Sequence, residues 1–87
     1  MQDKKEVKMS YYEFKGQMED LKKRRQICES AINSHRESLR AALNPALDTN
    51  EIQSDYIVEL SIALREDCIQ YNAYAKKIAV LQREIGE

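Results

Sequence analysis

YIVELSIALREDCI, residues 56–69, is the stretch that decides how this 87-residue chain folds. Its apolar residues recur every three or four positions, which is the spacing of a helix face. One face carries Ile57, Leu60 and Leu64. The opposite face carries Val58, Ile62 and Ile69. Because a surface helix of a small domain needs only one apolar stripe, a helix that is apolar on two sides predicts partners on two sides.

Two heptad-like seams, one on each predicted helix, cover most of the chain. The first seam comprises Tyr11, Phe14, Met18, Leu21, Arg25, Cys28, Ile32, His35, Leu39 and Ala42. The second seam comprises Ile57, Leu60, Leu64, Asp67, Tyr71, Tyr74, Ile78, Leu81 and Ile85. Both keep an unbroken spacing of three and four, which is typical of coiled-coil-like packing.

Capping signals set the expected helix starts. Ser10 with Glu13, and Asp48 with Glu51, have the spacing of a capping box, in which each side chain bonds the other residue's amide. Helices should therefore begin at about Tyr11 and Thr49.

Helix-breaking residues set the expected ends. Pro45 disfavours helical geometry at Asn44, and Gly86 is a typical C-terminal stop. A short loop between the helices makes them antiparallel neighbours. The predicted fold is all-α, an antiparallel two-helix hairpin with helices near 11–43 and 49–85, in one domain spanning 10–87 after a polar tail at 1–9.

The second apolar stripe predicts self-association. A lone hairpin seldom buries enough apolar area to offset its ordering entropy. The expected interface residues are Val58, Ile62, Ile69, Ala73 and Val80, with Ile27 and Ala31 among small residues of the first helix. We expect a homodimeric four-helix bundle, or docking onto the helices of a larger protein partner.

A loop centred near residue 48 pairs positions whose numbers sum to about 96, which places polar seam residues together. Arg25 then falls beside Tyr71, one turn from Asp67, and predicts an ion pair or a hydrogen bond inside the seam. The same layer could fix register, as buried polar residues do in coiled coils, or bind a ligand.

The same register brings Cys28 near Cys68. Three interpretations stay open: reduced core thiols, an oxidisable pair, and metal ligands. A metal is disfavoured because His35 lies two turns from Cys28, too far for one tetrahedral site. No metal or other cofactor is predicted.

One basic run interrupts an otherwise balanced surface. Lys22, Lys23 and Arg24 point outward, and their expected neighbours across the hairpin carry no acid. The run is either a solvated face or a contact for an acidic protein or a nucleic-acid backbone.

Composition excludes several activities. The 14 Lys and Arg nearly match the 15 Asp and Glu, so no global field attracts nucleic acid or anionic membrane. One His, no phosphate-binding Gly-rich loop and no metal motif argue against an enzyme and against a small-molecule substrate. No signal peptide or spanning segment is visible, which favours the cytoplasm and no membrane contact.

Two functions remain. The leading hypothesis is a non-enzymatic helical interaction module, a self-associating adaptor, chaperone or regulator acting by helix–helix packing. The alternative is a small nucleic-acid-binding hairpin that uses the basic run Lys22, Lys23, Arg24 and Arg25.

Overall fold

A computed structural model describes residues 10–86 and contains two long helices in that range. Helix α1 spans Tyr11–Ala42 and helix α2 spans Ser54–Glu84. The connection between them, residues 43–53, includes a single 3₁₀ turn at Thr49–Glu51. No strand is present between residues 10 and 86, so the all-α prediction is confirmed there. The predicted polar tail, 1–9, lies outside the described residues.

The helices pack against each other as an antiparallel hairpin. Two cross-helix contacts define the direction: His35 meets Asp67, and Cys28 meets Gln70. The earlier residue of α1 contacts the later residue of α2, as the predicted hairpin requires.

The start of α1 agrees with its capping signal. The Ser10 amide donates to Glu13 Oε1 at 2.8 Å, and the Glu13 amide donates to Ser10 Oγ at 3.1 Å. Both bonds satisfy amides that have no acceptor within the helix, so the chain becomes helical at Tyr11.

The start of α2 differs from the prediction. The Asp48 amide does donate to Glu51 Oε1 at 2.8 Å, but this contact closes only the 3₁₀ turn. Ile52 then adopts an extended backbone, with φ −73° and ψ 122°, and interrupts the helix. Helix α2 therefore begins at Ser54 rather than Thr49.

The helix ends follow the breaking residues. Helix α1 stops at Ala42, and Asn44 Oδ1 accepts from the Ala46 amide at 2.9 Å in the turn around Pro45. Beyond α2, Gly86 has a φ of 76°, a left-handed conformation that glycine adopts without steric cost. Both stops were expected from sequence.

The hydrophobic core is a single layer between the two seams. Every seam residue except Tyr11 is buried or half-buried. Yet only Met18, Cys28, Leu60 and Ile78 are buried hydrophobic residues in the described chain, and none of its large side chains is fully buried. The hairpin is therefore held by a thin core.

Candidate interaction surface on α2

The residues of the second apolar stripe lie together on the outer side of α2, where they form what we call the outer strip. It comprises Val58, Ile62, Ile69, Ala73 and Val80. At 3.6 residues per turn its centre lies roughly 165° around the helix from the α2 seam. Most of the outer strip thus lies on the side of α2 away from the seam, while Val80 also lines a groove with Gln17 and Leu21 of α1.

Solvent reaches the outer strip throughout. The exposed fractions are 56% for Val58, 54% for Ile62, 52% for Ile69 and 45% for Val80. Ala73 between them is exposed too. Exposed apolar side chains in a row along one helix are candidates for a contact site.

The sequence also predicted a contribution from α1 to this interface. Ile27 is 69% exposed and Ala31 is half-buried. Both lie on α1, and their place in an interface with the outer strip stays a prediction.

The polar layer of the seam has a different pairing from the expected one. His35 Nδ1 is hydrogen-bonded to Asp67 Oδ2 at 2.6 Å, whereas the sequence predicted an Arg25–Asp67 ion pair or a Tyr71 hydrogen bond. Arg25 and Tyr71 are half-buried seam residues, but neither bonds Asp67 in the described chain. The sequence pattern placed His35 in the seam but did not pair it with Asp67. In the expected register the two residues are more than one helical turn apart.

The two thiols occupy different environments. Cys28 is buried and Cys68 is exposed, and both are free. Cys28 Sγ lies 3.8 Å from Gln70 Oε1 of α2, so the contact that Cys28 makes across the hairpin is with Gln70. The approach of the two cysteines stays a prediction.

The basic run is partly compensated by an acid on its own helix. Lys22, Lys23 and Arg24 are all exposed. Arg24 Nε lies 2.9 Å from Asp20 Oδ2, one turn earlier. Hydrogen bonds that Arg24 donates to this carboxylate, and then to the Tyr74 hydroxyl across the hairpin, raise the pKa of Arg24. The positive field of the run is correspondingly weaker than three unpaired cations would give.

The described residues hold no other constellation that suggests chemistry. No cluster of three or more His, Cys, Asp or Glu side chains suited to a metal ion occurs in residues 10–86. Neither helix combines the length and apolarity that crossing a membrane demands. Exposed apolar side chains in the described residues include those of the outer strip, and also Tyr12, Ile27 and Leu43. Comparisons of the chain with protein-family models, with curated proteins and with solved structures find no match.

Proposed function

We propose that this protein is a non-enzymatic helical interaction module, an adaptor, chaperone or regulator that acts by packing the outer strip of α2 against another helix. The observation that carries the proposal is the half-exposed row of branched side chains from Val58 to Val80, opposite the seam. A row of this length along one helix matches the shape of a second helix, which contacts its neighbour through residues three and four apart.

The energetics of the hairpin support such a partner. Only four hydrophobic side chains of the described chain are buried between the helices. This is a small core for two helices of more than thirty residues each. Complete burial of a Val or Ile side chain contributes roughly 1.5–3 kcal/mol, and the outer strip has about half of that burial still to gain. Burial of the four side chains against a partner would therefore favour formation of the complex. Because the partner binds only the folded hairpin, it would also stabilise the fold.

Site-specific photo-crosslinking tests the proposal. Benzoylphenylalanine in place of Ile62 reports on the outer strip, and in place of Ser30 it reports on an exposed polar face of α1. We expect covalent adducts from position 62, either with the same chain or with another protein in an extract of the native cells. The Ser30 position serves as the matched control and should give none.

The contrary outcomes are equally specific. Equal adduct formation at the two positions would show only collisional contact. An absence of adducts at position 62, in purified protein and in extract, would remove the interaction module as the function.

A nucleic-acid-binding hairpin is the second candidate, supported by the exposure of three adjacent cations, Lys22, Lys23 and Arg24. The Asp20–Arg24 pair makes it the weaker one. Binding through this run predicts retention of RNA or DNA that falls steeply with salt and is lost when all three residues are changed to Ala. Retention that is unchanged in the triple variant, or that is absent, would exclude it.

A further inference from the structure

We propose that the outer strip binds the outer strip of a second copy of this chain, with the two α2 helices antiparallel and a twofold axis passing beside Ile69. This inference rests on the proposed function and specifies its partner. It assigns the position of every strip residue relative to the second copy.

Val58 and Val80 are placed symmetrically about Ile69, whereas Ile62 and Ala73 fall opposite Lys76 and Arg65. Val58 precedes Ile69 by eleven positions and Val80 follows it by eleven. Eleven residues complete about three helical turns, so all three side chains share one face. Reversing the helix end for end about Ile69 places Val58 opposite Val80 of the second copy and Ile69 opposite its own equivalent. An isologous interface requires this self-complementarity.

The charges beside the outer strip divide by sign along α2. The first half exposes more acids than bases: Asp55, Glu59 and Glu66 against Arg65. The second half exposes more bases than acids: Lys76, Lys77 and Arg83 against Glu84. An antiparallel pair sets each acidic half against a basic half. A parallel pair sets like charges together, which costs free energy and disfavours that orientation.

Individual pairs fit the antiparallel register. Asp55 and Arg83 are each fourteen positions from Ile69, so they face each other at both ends of the interface. Ile62 lies seven positions before Ile69 and Lys76 lies seven positions after it. Lys76 of one copy therefore falls opposite Ile62 of the other. Its aliphatic stem can cover Ile62 while its ammonium group reaches Glu66 of the second copy, one turn away. Lys76 therefore does not interrupt the apolar contact.

These charges are not neutralised within the hairpin. The ion pairs among residues 10–86 are Asp20–Arg24, Glu37–Arg40 and His35–Asp67. None of these pairs involves Asp55, Lys76 or Arg83, so no ion pair within the described residues competes with a partner for these three charges.

The angle between the seam and the outer strip of α2 determines the shape of the assembly. Because the two faces are about 165° apart around the helix, α1 and the second copy pack on opposite sides of α2. The proposed dimer is then an open row of four helices, α1–α2–α2–α1, rather than a closed square bundle. In this arrangement the contact is made by the two α2 helices, and each α1 lies on the outside of the row.

Disulfide trapping tests the arrangement in the full chain carrying Cys28→Ala and Cys68→Ser. Helices in contact bring facing Cα atoms within the ~7 Å that a disulfide spans. Under mild oxidation Ile69→Cys should lose most of its monomer band to a covalent dimer. Val58→Cys alone and Val80→Cys alone should stay monomeric, because each residue lies roughly 33 Å along the axis from its equivalent. An equimolar mixture of the Val58→Cys and Val80→Cys proteins should form the mixed dimer.

The controls separate the ways this inference can fail. Ser30→Cys gives the background rate, and circular dichroism confirms that each variant keeps its helices. Dimer formation by Val58→Cys alone would overturn the antiparallel arrangement in favour of a parallel one. No dimer above background for any strip variant would exclude the second copy, while adducts of position 62 with a different protein would leave the proposed function standing. Absence of both would remove the function as well.

Discussion

His35 Nδ1 lies 2.6 Å from Asp67 Oδ2, and this hydrogen bond joins α1 to α2 inside the seam. The two side chains are 30% and 22% exposed, so water screens the contact only in part. Along the rest of the seam the contacts are mainly apolar and less directional. The pair therefore fixes which residues of α1 lie opposite which residues of α2.

A double-mutant cycle on His35 and Asp67 should give a coupling free energy of about 1 kcal/mol, the usual value for a half-buried hydrogen bond to a carboxylate. Chemical denaturation of the wild type, His35→Ala, Asp67→Ala and the double variant measures it. The exposed pair Asp20–Arg24 is the control and should couple by at most ~0.5 kcal/mol. Equal coupling in the two pairs would contradict a register role for His35.

Ser10→Ala should destabilise the protein by about 1 kcal/mol, because it removes the acceptor of the Glu13 amide at the start of a long helix. Asp48→Ala should cost clearly less, since the second capping signal precedes only the 3₁₀ turn and α2 begins later, at Ser54. Thermal unfolding followed by circular dichroism compares the two. A larger loss from Asp48→Ala would indicate that α2 does start at Thr49.

The thiol of Cys68 should react quickly with a thiol reagent in the folded protein, whereas Cys28 should react only as the hairpin opens. A time course should show one fast thiol in buffer and two in denaturant. Cys68→Ser should abolish the fast phase. Two equally fast thiols in the folded wild type would contradict the burial of Cys28.

Gly16→Ala should stabilise the protein by roughly 0.5–1 kcal/mol, because Ala loses less backbone entropy in a helix. Gly16 lies within α1, is exposed, and has nothing within 4 Å of the position where a Cβ would stand. Gly86→Ala is the same chemical change at a φ of 76° and should destabilise the end of α2 instead. Thermal melts that shift in the same direction for both would contradict this account.

The seams were predictable because the information is local. From Phe14 to Ala42, and from Ile57 to Ile85, each position with three-four spacing is buried or half-buried in the hairpin. The exposure of the outer strip could be predicted for the same reason. The angle between strip and seam follows from helical periodicity alone, whereas the groove that Val80 lines with Gln17 and Leu21 needed the folded arrangement of the two helices.

The register was not predictable, because it depends on the path of the connection rather than on either helix. Counting from a loop centre paired Cys28 with Cys68, but Cys28 contacts Gln70. Two positions on a helix turn a side chain by about 200°, so Cys68 and Gln70 lie on opposite flanks of the seam, and Cys28 contacts the flank that carries Gln70. The extended backbone at Ile52 had no clear local signal, and the misplaced start of α2 follows from it.

Sedimentation of the wild type, Ile62→Asp and Ser30→Asp at micromolar concentrations tests most directly whether the outer strip of α2 is a helix-docking surface between copies of this chain. We predict a wild-type dimer, a monomeric Ile62→Asp that retains its helix content, and a Ser30→Asp that remains dimeric, because only the first substitution puts a charge among the strip's apolar side chains. An Ile62→Asp protein that associates as strongly as the wild type would contradict the role of the strip, and a wild type that stays monomeric would contradict the second copy as its partner.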